Sequence, residues 1–134
     1  MAPRRRRNLA EVLGPLEMSV MEIVWDRGRV TVRDVHDVLR QSRDIAYTTV
    51  MTTLGRLADK GLLNRIEGQP AHHFMPAVSR EQYAQSTVSS VMGWLMNHFP
   101  DPVVGYLLDK VEDEDEEVLD RLREAIEKRS IQAE

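Results

Sequence analysis

Thr48, Thr49, Thr52 and Arg56 fall on one face of a stretch, residues 46–63, whose opposite face is apolar at Tyr47, Val50, Leu54, Leu57 and Ala58. That spacing is the period of an amphipathic helix with one buried side. Threonine is a mediocre helix former, and a merely solvated face does not need it. Short hydroxyls and methyls followed by an arginine suit a helix lying in a DNA major groove. There Thr can bond a base edge or a phosphate and touch a thymine methyl, while Arg can bond guanine or a phosphate. The competing reading is a half-buried helix with an ordinary polar exterior, and the flanking elements decide between the two.

Other chemistry is sparse. No phosphate-binding glycine loop occurs, because the seven glycines are scattered at helix ends and turns. His72 and His73 are adjacent on a predicted strand, so they point to opposite faces and share a metal poorly. One reads as wing surface and the other as packed. The acidic run at residues 112–117 offers carboxylates without a fixed pocket. No Ser/His/Asp arrangement stands in a known catalytic motif. With no cysteine in the chain, disulfides, thiolate zinc sites and a cysteine nucleophile are excluded. The expectation is a non-enzyme without cofactor or metal.

The elements around the reader helix follow in order. Gly14-Pro15 opens a first helix, apolar at Leu16, Val20, Met21, Ile23, Val24 and Trp25, with Gly28 as its stop. Arg29-Val30 has room for a single strand bridge. Thr31 is an N-cap with Asp34 completing a capping box, and Val32, Val35, Val38 and Leu39 face inward from a second helix ending near residues 42–44. Arg33, in its first turn, reads as a phosphate contact or an ordinary solvent-exposed arginine, Arg43 as a phosphate contact, and Tyr47 as an anchor of the third helix's start or a backbone contact. The third helix closes at Lys60-Gly61. Residues 62–67 and 72–76 then form two strands about a turn at residues 68–71, whose tip, Gln69 to His72, reaches a neighbouring groove. Helix, short strand, helix, helix, hairpin is the order of a winged helix-turn-helix.

Ser79 with Gln82 is a capping box for a fourth helix. It carries Tyr83, Val88, Val91, Met92, Leu95, Met96 and Phe99, and residues 100–102 break it. A fifth helix over 103–111 presents Val104, Leu107 and Leu108. A sixth, running to about residue 128, presents Val118, Leu119, Leu122, Ala125 and Ile126. These stripes exceed what the three helices can cover for one another, which points to intertwining with a second copy, against the alternative of an intramolecular bundle. The predicted division is a basic arm (1–12), a winged-helix domain (13–78) and a helical dimerisation domain (79–134), mainly α with a small β-hairpin.

The net charge of −4 conceals an asymmetry. Residues 1–80 hold 13 Lys and Arg against 9 Asp and Glu, a balance of +4; residues 81–134 hold 5 against 13, a balance of −8. Four of the basic residues are the run Arg4, Arg5, Arg6 and Arg7, which could lie along phosphates or enter a minor groove, or serve as a solubilising tail. No apolar run approaches the roughly 18 residues of a membrane span, and no apolar segment follows the N-terminal arginines as in a secretory signal. A cytoplasmic protein is expected.

Leu16-Glu17-x-x-Val20-Met21-x-x-x-Trp25, Thr31-Val32-Arg33-Asp34-Val35-His36, Ala46-Tyr47-Thr48-Thr49-Val50-Met51-Thr52 and Arg56-Leu57-Ala58-Asp59-Lys60-Gly61-Leu62-Leu63 together resemble the penicillinase-repressor (BlaI/MecI) family. The match is dense from residue 13 to about 83 and loose beyond. The resemblance implies a homodimeric winged-helix repressor of palindromic operators that dimerises through its C-terminal helices. It also implies control of β-lactam resistance genes and inactivation by cleavage under a membrane-bound sensor metalloprotease. The cysteines of the copper-responsive branch are absent. Where staphylococcal-type members are cut at an Asn-Phe bond, this chain has Asp109-Lys110, and Asn97-His98-Phe99 lies a turn or more earlier. The alternative from another class is a protein–protein module using the winged helix as a scaffold, with no sequence-selective DNA affinity.

Overall fold

The structure is a computed structural model and describes residues 12–68, 70–112 and 115–133, with side chains to residue 131. Its elements are α1 (Pro15–Arg27), α2 (Val32–Leu39), α3 (Tyr47–Asp59), β1 (Leu63–Ile66), β2 (His73–Pro76), α4 (Arg80–His98), α5 (Pro100–Glu112) and α6 (Glu116–Ala133). β1 and β2 pair antiparallel, with Leu63 opposite Pro76 and Ile66 opposite His73. Val30 adds the expected single bridge to Phe74, its N–H donating at 3.0 Å and its carbonyl accepting at 2.7 Å. Three helices with a bridge and a hairpin make a winged helix-turn-helix, and three further helices follow it.

Local chemistry sets the element ends. Thr31 Oγ1 accepts from the Asp34 N–H at 3.1 Å while Asp34 Oδ2 accepts from the Thr31 N–H at 2.9 Å, so two orphan donors at the start of α2 are satisfied reciprocally. The Ser79–Gln82 pair repeats this at the start of α4, at 3.0 and 2.8 Å. Gly28 and Gly61 end α1 and α3 at φ of 86° and 84°, a left-handed backbone that a side chain would strain. Two boundaries differ from expectation. α2 stops at Leu39, and residues 40–42 form a turn. Pro100 and Pro102 do not merely break the chain: they form the first turn of α5, where a missing N–H costs nothing.

Contacts divide the chain into two compact units between Val91 and Met92. In the first, Val20, Met21 and Val24 of α1, Val35 and Leu39 of α2, Val50, Leu54 and Leu57 of α3 and Phe74 of β2 form one buried core with Val30, Leu62 and Leu63. The start of α4 belongs to this unit. Trp25 Nε1 donates to the Val78 carbonyl at 3.0 Å, and Tyr83 sits 5.7 Å from the Trp25 ring with its hydroxyl accepting from the Leu13 N–H at 3.3 Å. Arg80 grips Glu22 of α1 through two bonds of 2.9 Å. In the second unit, Val103 is the one buried hydrophobic side chain among the described residues. Among the described residues no helix is long and apolar enough to cross a membrane.

Leu54→Ala is expected to destabilise the first unit by about 2–5 kcal/mol, the range for deleting a fully buried leucine side chain, measured by urea unfolding. The Arg80 hydrogen bonds hold the Glu22 carboxyl below its ordinary range, against an opposing effect of burial. A lowered carboxylate pKa stabilises the fold above the unfolded-state value and is lost as pH falls through the folded-state value. Glu22→Gln should therefore cost under about 1 kcal/mol at neutral pH and nothing once the Glu22 carboxyl is protonated in both the folded and the unfolded chain, seen as unfolding midpoints that converge in acid.

Candidate nucleic-acid interface

α3 divides its side chains between a buried and an exposed face. Val50, Leu54 and Leu57 are fully buried, which leaves Thr48, Thr49, Thr52 and Arg56 exposed on the outer side. Thr53 is the inward threonine: it is 4% exposed and its Oγ1 donates to the Thr49 carbonyl at 2.8 Å, so its hydroxyl is satisfied within the helix. Arg56 makes no ion pair among the described residues. Met51, absent from the sequence reading of this face, is 47% exposed beside Thr48 and Thr52. Its position three residues after Thr48 was the available signal.

One expectation for Tyr47 needs correction, its place on the buried face. The helical period groups it with Val50 and Leu54, yet it is 46% exposed. As the first residue of α3 it lies beyond the end of the core, and its ring meets His36 of α2 edge-on at 5.7 Å. His36 Nε2 lies 2.8 Å from the Ile45 carbonyl. A carbonyl only accepts, so Nε2 carries the hydrogen and donates. One imidazole thus ties α2 to the residues entering α3 and backs its first side chain. At the other end of α3, Lys60 Nζ bonds both Glu17 oxygens of α1 at 3.1 and 2.9 Å.

The wing closes a groove against this helix. Arg33 of α2, Tyr47 and Met51 of α3, Arg65 of β1, and Pro70 and His72 of the wing line it, with no carboxylate among its lining residues. The structure therefore brings Arg33, Tyr47 and His72 together. Arg43 stands apart from them, exposed, with Nη2 donating to Ser19 Oγ of α1 at 3.5 Å. His72 is exposed just before β2 and His73 is half-buried on it. Gln69 and the arginines at residues 4–7 lie outside the described residues. Arg65 was missed in sequence as a site residue. It is exposed, and its guanidinium carbon sits 5.5 Å from the Phe74 ring centroid, directly across the hairpin. A basic residue on a predicted wing strand was the only hint.

The sequence pattern of the penicillinase repressor family matches residues 13–128. The chain belongs to that family. It is a family of regulators, not of enzymes. The chain is 48% identical over 71 residues to the transcriptional regulator BlaI of Mycobacterium tuberculosis, in strains CDC 1551 and H37Rv alike. That alignment takes in 52% of this chain and 51% of BlaI, so the chain spans about half the length of the curated relatives it matches. Among solved structures, the DNA-binding domain of the repressor BlaI is similar at 23% identity and a TM-score of 0.49, over 55% of this chain and 89% of that one. A mutant MarR from E. coli complexed with operator DNA is similar at 18% identity and a TM-score of 0.47, over 80% and 83%.

His36→Phe keeps a ring beside Tyr47 and removes the donor to Ile45. It is expected to cost about 1 kcal/mol, the net worth of one hydrogen bond, read as a lower urea midpoint with an unchanged slope.

Proposed function

We propose that this chain is a sequence-specific DNA-binding transcriptional repressor with α3 as its reader. The observation that carries the reading is the outer stripe of α3, in which Thr48, Thr49, Thr52 and Arg56 are exposed together while the inner side is locked in the core. Hydroxyls and a guanidinium without an intramolecular carboxylate are the groups that read base edges and hold phosphates. Arg33 and His72, flanking the same groove, approach the backbone on either side. Membership of a repressor family supports the reading.

The second part of the proposal is a homodimer built on the C-terminal helices. Val88, Met92, Met96, Phe99, Leu107, Leu108, Leu122 and Ile126 are 37–61% exposed, and Val91, Leu95 and Leu119 are half-buried. Apolar surface on this scale, with Val103 the one buried hydrophobic side chain among the described residues from 92 onward, calls for a partner. Tyr83 is held by its own chain against Trp25, so we place the dimer face beyond it. Two readers related by a two-fold axis match palindromic half-sites about one helical turn apart, or a multiple of it. Control of β-lactam response genes, and relief through a membrane sensor metalloprotease in the cytoplasm, follow the family resemblance. Asp109-Lys110 lies within α5, so cutting there requires that helix to open locally.

Fluorescence anisotropy against the palindrome upstream of its own gene and a scrambled duplex, repeated across salt, tests the reading. Binding with two chains per site and a preference of about 10³-fold or more is expected, the lower end for specific binders. Equal, weak, salt-labile binding to both would remove it. Arg56→Ala should cost roughly 1–3 kcal/mol on the palindrome if it reads a base. An unchanged affinity would take Arg56 out of the site.

A further inference from the structure

We infer that Arg65, on the first strand of the wing, is a DNA-phosphate contact already set in place before DNA arrives; this rests on the DNA-binding reading above. Its position is over-determined from two sides. Across the hairpin it faces Phe74, and its guanidinium lies 5.5 Å from that ring's centroid. Phe74 is only 3% exposed, so the ring is a fixed platform. From the other side, Arg65 Nη2 comes within 3.6 Å of where a Cβ at Gly55 would stand. Gly55 is the residue of α3 without a side chain, four positions after Met51 and seven after Thr48 on the same row of the helix. A glycine inside a helix costs about 1 kcal/mol relative to alanine. Here the space above it takes the guanidinium.

An arginine fixed in this way normally has a carboxylate partner. Arg65 has no ion pair and no hydrogen bond among the described residues, and the groove it lines with Arg33, Tyr47 and His72 contains no acid. Its donors are therefore unspent, and their planar fork matches the oxygens of a phosphate. The Phe74 ring makes no hydrogen bond, so it holds the guanidinium without using its N–H donors. The location separates phosphate from base. The outward stripe of α3 holds the base-reading groups, whereas Arg65 comes in from the wing at the helix flank, the side along which a DNA backbone passes when a helix enters the major groove. Because the ring and the reader helix hold the side chain beforehand, little rotamer entropy is lost on binding.

The test is the salt dependence of binding by the full chain carrying Arg65→Gln or Arg65→Lys, on the palindrome and on the scrambled duplex. A phosphate contact predicts that Arg65→Gln weakens both duplexes by a similar factor, on the order of tenfold for one charge-assisted bond. It also predicts a salt slope shallower by about 0.9, with Arg65→Lys restoring the slope. A loss confined to the palindrome would make Arg65 a base reader and overturn the inference. A fall in the urea midpoint with the slope intact would make it a prop for Phe74, and unchanged binding would remove it altogether. If the unsubstituted chain binds neither duplex, the DNA-binding reading itself fails; if it binds and Arg65→Gln matches it, only this inference does.

Discussion

The structure turns on one helix having to satisfy two environments at once. Val50, Leu54 and Leu57 are sealed inside, and their rotation fixes where every outer residue of α3 stands. Successive residues of a helix are 100° apart, so a slip of one position would carry Thr48 and Thr52 toward the core and bring apolar side chains out. The rest of the first unit prevents that slip. α1 and α2 supply the aliphatic surface that α3 packs on, and Phe74 closes the side toward the wing. Polar bonds then pin both ends: His36 to Ile45 ahead of the helix, and Lys60 to Glu17 behind it. Neither is a large energy, but each acts where a helix frays and where an angular error would displace an outer side chain most.

What the sequence discloses follows from the range of the interactions involved. Thr31–Asp34, Ser79–Gln82, Gly28 and Gly61 are local devices whose chemistry spans four residues or fewer, and each stands where its residue types predict. Periodicity assigns Thr48, Thr49, Thr52 and Arg56 to the outer face because the buried face opposite them is strongly apolar. It misplaces Tyr47 because a period says nothing about where the core ends. It leaves Thr53 unassigned because a hydroxyl satisfied by its own helix can be buried without any sequence mark. Arg65 is harder still. Its setting depends on strand register and on the meeting of β1 with α3, two facts of tertiary structure that no local pattern carries.

The C-terminal helices show the opposite balance. Their apolar periodicity is legible, yet the described residues from 92 onward bury only Val103, and the aromatic group of Trp94, His98 and Phe99 stays at the surface, with Trp94 and His98 stacked at 4.6 Å. These helices therefore leave most of their apolar stripes exposed. The acidic surplus of this half sits beside these exposed apolar stripes, and like charges on the outer faces favour solubility.

Net charge proves a poor guide to the interface and pairing a better one. Without the run at residues 4–7, the first 80 residues sum to zero, which on its face argues against an anionic partner. The structure shows that the zero is an average over two populations. Lys60 and Arg80 are engaged by Glu17 and Glu22, where they fasten α3 and α4 to α1. Arg33 and Arg65 line a groove with no carboxylate among its lining residues, Arg65 beside the Phe74 ring, and Arg56 is exposed on the threonine face of α3. Within a Debye length of about 8–10 Å the local sum governs what a surface attracts. The cations that fasten the helices to one another are paired within the domain, and Arg33, Arg56 and Arg65 have no ion pair among the described residues.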